Sequence, residues 1–564
     1  MQTPNYESLK TQLDANEQAD FRFQERRHAD WTENAQLYRD KVIINRLTQR
    51  QSVNVPLIKG SIKTILANID EFPDVEFEEL DNNKDKEIVF NELWKDFVIR
   101  DKMEVKDMVD KKQDLLYGKT WTKLNIVGGR LCTEIKEPFD ILVDRYADPS
   151  DLDGTADHLT ERGIYRTLTQ LSENPSFDQA AVSRLKMFYA TQQGLVIAEE
   201  TTRQMQDKNE RLELLGVPDM NLPQLGTTVV ELKACFQKIW DATDDRAYWH
   251  IIVYAGPEIL MAKPIQKALN IDMLPLVTWS DDPERNDHYP DGVADIARNP
   301  NKLLNAMISA LAENRILRNM GMNFYNAKAD ENWVPQSFEP VPFGWYPLPG
   351  PPKEVFQKVD IPDMSESLDE MQYVQKLVES ATAATAATKG ETDQNKVTLG
   401  EVELAVSAAK ERISSIAKFY MLAQKEKAEK WAKLMNANAD KLEAVKLYKK
   451  SHKGNMYSKM AYASTWKSDK GYNCRVVSTA ERQKQGLKSL QKLQAVKANF
   501  PDNPVMAKVY GKKLLEFADV NPDDVKAVLD YEEQKMTSGV PAGMPTPQIA
   551  PPKVLTPQLN GQPA

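Results

Sequence analysis

Apolar positions along the chain switch repeatedly between a helical and an alternating period, and each switch predicts a change of element. Leu9, Leu13, Phe21, Trp31 and Leu37 recur through the charged stretch 6–40, which predicts a helix. Pro56 and Gly60 punctuate the entry to a second helix over 61–70. Val89, Leu93, Phe97, Val98, Met103, Met108 and Leu115 predict one continuous helix over 84–117. Residues 120–127 then alternate, meet Gly128-Gly129 and return over 130–135, the pattern of a β-hairpin. Stretches 141–143, 163–165, 228–239, 249–255 and 274–279 read as further strands. The first 290 residues therefore read as one α+β body.

The pattern changes after that. Leu303, Leu304, Met307, Ile308, Leu311 and Leu317 lie on one face of a helix over 301–320, and Gly321 stops it. Residues 324–362 are too proline-broken for a long helix or a central strand, and carry Trp333, Phe338, Phe343, Trp345 and Tyr346 among the prolines. Asp363, with Glu366 three residues on, opens a returning helix that runs into the small-residue tract 381–388. A polar loop, 389–400, ends in the capping box Thr398-x-x-Glu401, which opens the longest helix, 401–449. A short β-like piece at 473–477 precedes helices over 479–498, 506–517 and 522–531. From Met536 the composition turns to Pro, Gln, Thr and Gly, which predicts a tail without a core of its own.

Composition narrows this only slightly. With 564 residues, 41% of them hydrophobic, the chain can bury several cores. No apolar run approaches the roughly 18 residues of a membrane helix. The opening stretch lacks the basic and apolar regions of a signal peptide, so the expectation is a soluble, intracellular protein. Charge is more telling. Residues 441–513 hold seventeen Lys or Arg against four acids, a local +13 that leaves −23 on the rest of a chain of net charge −10. A basic C-terminal module on an acidic body suits contact with a polyanion, and equally a solvated lysine-rich helical surface. The acidic body disfavours tight wrapping of nucleic acid, because duplex affinity comes largely from phosphate neutralisation.

Catalytic chemistry is not visible. Gly118-Lys119-Thr120 resembles the end of a phosphate loop, but the first Gly would fall on Gln113, and a strand follows where the motif needs a helix. The acidic run 281–288 lacks the Gly and Glu positions of a calcium loop and reads as a hydrated loop. Cys235 and His250 could be drawn as nucleophile and base, yet Cys235 lies in a strand-like run as a small hydrophobe. Cys132, Cys235 and Cys474 are too few for a disulfide framework, and five scattered histidines have no metal-ligand spacing. The expectation is no cofactor, no metal and no enzymatic activity.

The order of elements carries a resemblance. An α+β body, a helix, a Pro/aromatic excursion, a returning helix, a polar loop, a long capped helix and a basic helical C-terminus together resemble the portal (head-to-tail connector) proteins of tailed bacteriophages, across nearly the whole chain. Shorter matches are Arg50-Gln51-Ser52-Val53-Asn54-Val55-Pro56, Asp144-Arg145-Tyr146-Ala147-Asp148-Pro149 with Ala156-Asp157-His158-Leu159, and Tyr289-Pro290-Asp291-Gly292-Val293-Ala294-Asp295-Ile296. The Pro-rich tail departs from relatives that end in a helical barrel.

The resemblance implies a portal-like fold: wing over 1–297, first stem helix 298–323, clip 324–362, second stem helix 363–388, tunnel loop 389–400, long wing helix and returning wing segment 401–478, helical crown 479–535 and disordered tail 536–564. It implies a homo-oligomeric ring, a dodecamer, at one capsid vertex of the virion, assembled in the host cytoplasm. That ring would pass double-stranded DNA during packaging and ejection. The implied DNA-facing residues are Lys389, Glu391, Asp393, Gln394, Asn395 and Lys396. The clip residues Trp333, Phe338, Phe343, Trp345 and Tyr346 would dock the terminase large subunit or the head–tail adaptor. The major capsid and scaffolding proteins would be further partners, with no membrane involved. Two rival readings are another viral structural or scaffolding protein, and a nucleic-acid enzyme. A scaffold would lack the β-rich stretch 120–279, and an enzyme would show paired carboxylates or a phosphate loop in context.

Overall fold

The computed structural model describes residues 6–40, 44–45, 50–51, 53–191, 208, 210–213, 229–241, 244–285, 287–320, 323–325, 356–358, 367–382, 399–450, 456–477, 491–495, 509–511 and 514. The chain forms two compact units, one of residues 1–447 with 459–479, the other of 448–458 with 480–564. The first unit carries most of the described architecture, and the described residues are a mixture of helix and antiparallel sheet.

The first part of the chain runs α1 (Tyr6–Tyr38), the two-residue strands β1 (Ile44–Asn45) and β2 (Arg50–Gln51), α2 (Leu57–Asn68), β3 (Asp74–Glu79), α3 (Lys84–Arg100) and α4 (Met103–Tyr117). The hairpin β4 (Thr120–Val127) and β5 (Arg130–Lys136) leads to β6 (Ile141–Val143), α5 (Leu152–Thr155), β7 (His158–Thr167), α6 (Leu168–Glu173) and α7 (Gln179–Thr191). Strands β8 (Val229–Asp241), β9 (Arg246–Ala255) and β10 (Glu258–Pro264) then precede α8 (Ile265–Leu269) and β11 (Leu276–Trp279). The last part comprises α9 (Val293–Met320), β12 (Asn323–Tyr325), β13 (Phe356–Lys358), α10 (Ser367–Ala381), α11 (Leu399–Ala437), β14 (Val445–Lys450), β15 (Met456–Ala461), α12 (Ala463–Trp466) and β16 (Tyr472–Val477).

The β4–β5 turn falls where the two glycines predict it. Both adopt positive φ, 57° and 74°, which suits a tight turn between twisted strands. Strands β10-β9-β8-β7-β6 form a five-stranded antiparallel sheet, and β11-β4-β5 a three-stranded one. Strand β3 pairs with β16 from the far end of the chain, Asp74 opposite Val477 and Glu79 opposite Tyr472.

Several boundaries differ from the sequence expectation, each for a local reason. Helix α2 starts four residues early, because Gly60 N–H donates to the Pro56 carbonyl (3.0 Å) and lies inside the helix. The expected single helix 84–117 is two helices. Asp101 accepts from Thr133 N–H (2.9 Å) and pairs with Lys106 (2.6 Å), while Lys102 takes a left-handed φ of 52°. After that break α4 buries Met103, Leu115 and Leu116 as their spacing predicts, but also a charged face between them. Asp107, Asp110, Lys111 and Asp114 are buried, whereas Val105 and Met108 are exposed. Helix α9 begins at Val293 and runs through Pro300. The helix predicted to 449 ends at Ala437, where Asn438 Nδ2 donates to the carbonyls of Leu434 (3.0 Å) and Leu269 (2.7 Å), and 445–450 form β14 instead. The expected starts at Asp363 and Thr398 lie outside the described residues, as do 383–388. So do the tail and nearly all of the expected crown, of which 491–495 are helical.

One core is built around Trp431 of α11, whose ring centre lies 4.9 Å from Trp94, 5.2 Å from Phe90, 5.4 Å from Phe97 and 5.5 Å from Phe77. It continues into β4–β9, β11 and Cys474 of β16. A second core is helical and joins α1, α2, the end of α4, α9, α10 and Ile413 of α11. A third lies between α6–α7 and β8–β10. Helix α11 thus spans two cores.

Candidate functional site

The helical core leads to the segment the sequence marks as functional. Helix α9 is followed directly by β12, and β13 precedes α10. The two strands pair antiparallel, Asn323 opposite Lys358, Phe324 opposite Gln357 and Tyr325 opposite Phe356. The pairing sets Tyr325 and Phe356, which flank residues 326–355 in the chain, side by side. Below this pair α9 and α10 pack through Leu304, Met371, Val374 and Val378, with Met307, Ile308 and Leu311 alongside.

The root of α9 is held by a dense polar network. Gly292 N–H donates to Asp295 at the third helical position (3.0 Å), the backward half of a capping box. The same carboxylate accepts from Arg27 (2.8 Å), Asn34 Nδ2 (3.0 Å) and Arg298 (2.8 Å). Arg27 also pairs with Asp291 (2.8 Å), Arg298 with Asp30 (3.2 Å), and Lys302 with Glu33 (2.8 Å), so α1 and α9 interlock by charge. One turn on, Asn305 Oδ1 accepts from Val55 N–H (2.8 Å), and Ser309 Oγ accepts from Val53 N–H (3.0 Å). Two of the short sequence matches, the segment around Asn54-Val55-Pro56 and Tyr289 to Ile296, meet here.

The third match shapes a turn. Asp144 accepts from Tyr146 N–H (3.0 Å) and Asp157 N–H (3.1 Å), and His158 Nε2 sits 2.7 Å from Asp20 of α1. Burial pushes the Asp20 carboxyl up, and the bond to Asp20 raises the His158 pKa against its own desolvation.

Helix α4 ties α11 to the body. Asp107 accepts from Tyr420 Oη, from Gln424 Nε2 (2.8 Å) and from Lys111 Nζ (2.8 Å), and that ammonium lies 4.3 Å from the centre of the Tyr420 ring. Burial raises the Asp107 pKa, while Lys111 and Lys427 pull it back. Asp110 accepts from Thr120 Oγ1 (2.8 Å) and Trp279 Nε1 (3.1 Å). Periodicity read on apolar residues alone misses this network. Its signal was the acids at 107, 110 and 114, spaced to share one helical face.

The chemical alternatives take definite forms. Gly118, at φ 73°, caps the C-terminus of α4 and is not part of a phosphate loop. Cys235 is buried in β8 opposite Ile252, and burial pushes its thiol up to about 12, so it is held as a neutral thiol. His250 Nδ1 bonds to the Tyr248 carbonyl (2.9 Å). Among the described residues no group of three or more His, Cys, Asp or Glu could hold a metal. A cavity of about 1320 Å³ opens between α1, α7 and the β10 edge. Its main charges are paired with one another, Glu17 with Arg162 (3.3 Å) and Lys233 (2.8 Å), and Arg184 with Glu258 (2.9 Å).

The implied DNA-facing residues Lys389, Glu391, Asp393, Gln394, Asn395 and Lys396 lie outside the described residues, as do Trp333, Phe338, Phe343, Trp345 and Tyr346. No protein-family model and no curated protein matches the chain. Among the described residues no helix is long and apolar enough to cross a membrane.

Proposed function

We propose that this chain is a phage portal protein: a subunit of a homo-oligomeric ring that passes double-stranded DNA and serves as a docking platform for a packaging terminase and a head–tail adaptor. The observation that carries this reading is the β12–β13 pair. It brings together the two flanks of the aromatic, proline-rich stretch between two helices that pack on each other, the order of elements expected of a stem and clip. At about 1.5 Å per residue the 28 residues of α9 span roughly 42 Å, long enough for the wall of a channel. Helix α11, with 39 residues, spans roughly 58 Å and returns the chain from the helical core to the Trp431 core. The β-rich body favours this reading over a scaffold. In this reading the motor that hydrolyses ATP is a separate protein, and the ring sits at the portal vertex of the capsid.

Negative-stain imaging and analytical ultracentrifugation of the purified full-length protein test the proposal. Rings with a central channel are expected, with twelve-fold symmetry the family expectation. A protein that stays monomeric or dimeric at every concentration and salt tested overturns it.

A further inference from the structure

Helix α1 meets the five-stranded sheet at an imidazole set between two carboxylates. His158 opens β7, and its Nε2 lies 2.7 Å from Asp20 Oδ2 of α1. Its Nδ1 lies 3.9 Å from Asp144 Oδ2, in the turn after β6. Asp20 is 2% exposed, Asp144 4% and the His158 side chain 13%, so water screens the three groups weakly. The Asp144 carboxylate is held in place, because it also accepts from Tyr146 N–H (3.0 Å) and Asp157 N–H (3.1 Å).

A neutral imidazole has one N–H and one lone pair. With the proton on Nε2, facing Asp20, the Nδ1 lone pair faces the Asp144 carboxylate and is repelled by it. An imidazolium presents an N–H to each side, and one positive charge then stands between two negative ones. The arrangement is therefore built for the charged ring, and an imidazole ordinarily exchanges its proton near pH 6.5.

We propose that protonated His158 is a clamp that seats α1 on the sheet, and that loss of its proton as pH rises loosens the helix there. The same helix supplies Arg27 and Asn34 to Asp295, so its seating bears on the root of α9. The charged groups facing His158 are Asp20, Asp144 and Asp157. Those facing Asp20 are His158, Asp144 and Arg145, and Cys235 and Tyr289 are its further titratable neighbours. His288 faces Asp144, and Gln237, opposite His158 on β8, carries no charge. Burial by itself would lower the His158 pKa, but the bond to Asp20 and the three acids outweigh it and raise it above 6.5. Burial raises Asp20 above its ordinary 3.8, against the pull of His158.

The pH window follows from these signs. A base whose folded pKa is raised stabilises the fold fully below its unfolded value, 6.5, and loses that contribution as pH rises through the folded value. His28, also on α1, has the opposite sign. Burial, then Arg211 and Arg162, pulls it down to about 4, so it weakens the fold as pH falls from 6.5 toward about 4. Asp20, a raised acid, gives up stability as pH climbs from 3.8 through its own folded value. A loss above pH 6.5 that disappears with the imidazole therefore belongs to His158.

Hydrogen exchange of the full-length protein over residues 12–28, from pH 6.5 to about 8.5 and corrected for intrinsic exchange, tests the proposal. The opening equilibrium of α1 should grow by up to about tenfold per pH unit until His158 is neutral. His158→Gln keeps a donor for Asp20 but cannot take a charge, and should flatten that slope while β9 and β10 exchange as before. Asp20→Asn should flatten it too. Titrations elsewhere in the body are common to the three proteins and cancel in the difference. The Cε1–H signals of the five histidines give a second readout, with His158 assigned by its absence in His158→Gln. Its midpoint should lie above 6.5 in wild type and move down in Asp20→Asn. Equal slopes in wild type and His158→Gln overturn the proposal, as does a His158 midpoint at or below 6.5. Should a variant fail to fold, the wild-type slope still decides: a flat profile overturns the clamp, and a rise confined to α1 supports it.

Discussion

At Asp295 three side chains and one backbone amide converge on a single carboxylate that is 8% exposed, and two of the donors are guanidinium groups. Removing one partner of a buried charge pair leaves the others without compensation, typically at about 3–5 kcal/mol. Asp295→Ala should lower unfolding stability by about that much in urea melts. Asp291→Ala should cost far less, because Asp291 is 67% exposed and solvent screens its pair with Arg27. The residue's role was legible only in part. Gly292 followed by an acid at the third helical position is a start signal, yet the sequence pattern placed the helix start at Asn301. Pro300 reads as a breaker, and Asp295 as one acid among many. Only the arrival of Arg27 and Asn34 from α1 makes it a hub.

Elements show where apolar spacing informs and where it misleads. In α11 Ile413, Ile416 and Tyr420, spaced three and four residues apart, face the interior, and Trp431 further along completes an aromatic core. Trp431→Ala removes a fully buried ring between Phe77, Phe90, Trp94 and Phe97. It should cost about 3–5 kcal/mol, measurable by chemical denaturation, with the cost set by how far those rings collapse into the cavity. In α4 apolar spacing finds Met103, Leu115 and Leu116 but misses the rest of the buried face. The charged face turns inward because its acids find Lys111, Tyr420, Gln424 and Trp279 there, and Met108 stays exposed. Strands β3, β10, β12 and β13 are equally illegible, since short strands declare themselves through partners distant in sequence.

For the whole molecule, the proposed ring assigns residues 389–400 to the channel. Lys389 and Lys396 balance Glu391 and Asp393, so a ring of such loops would guide DNA sterically with little phosphate attraction. Changing Glu391 and Asp393 to Lys adds +4 per subunit and should slow packaging, most strongly at low salt, in rings that assemble normally. Wild-type packaging rate and length at low salt would remove these residues from the DNA path.

What the sequence by itself determined is local: the hairpin at Gly128-Gly129, where only a tight turn suits two glycines between alternating runs, the helical faces of α1 and α11, and the change from an α+β body to helices separated by a proline-rich excursion. These follow from backbone sterics and from the periods at which a helix or strand presents one face. The tertiary structure alone decided which charges are buried, where α3 gives way to α4, how β3 finds β16, and that α9 and α10 meet at a strand pair. Those outcomes depend on partners far apart in the chain, and a buried carboxylate or a two-sided helix has no meaning until its neighbours are in place.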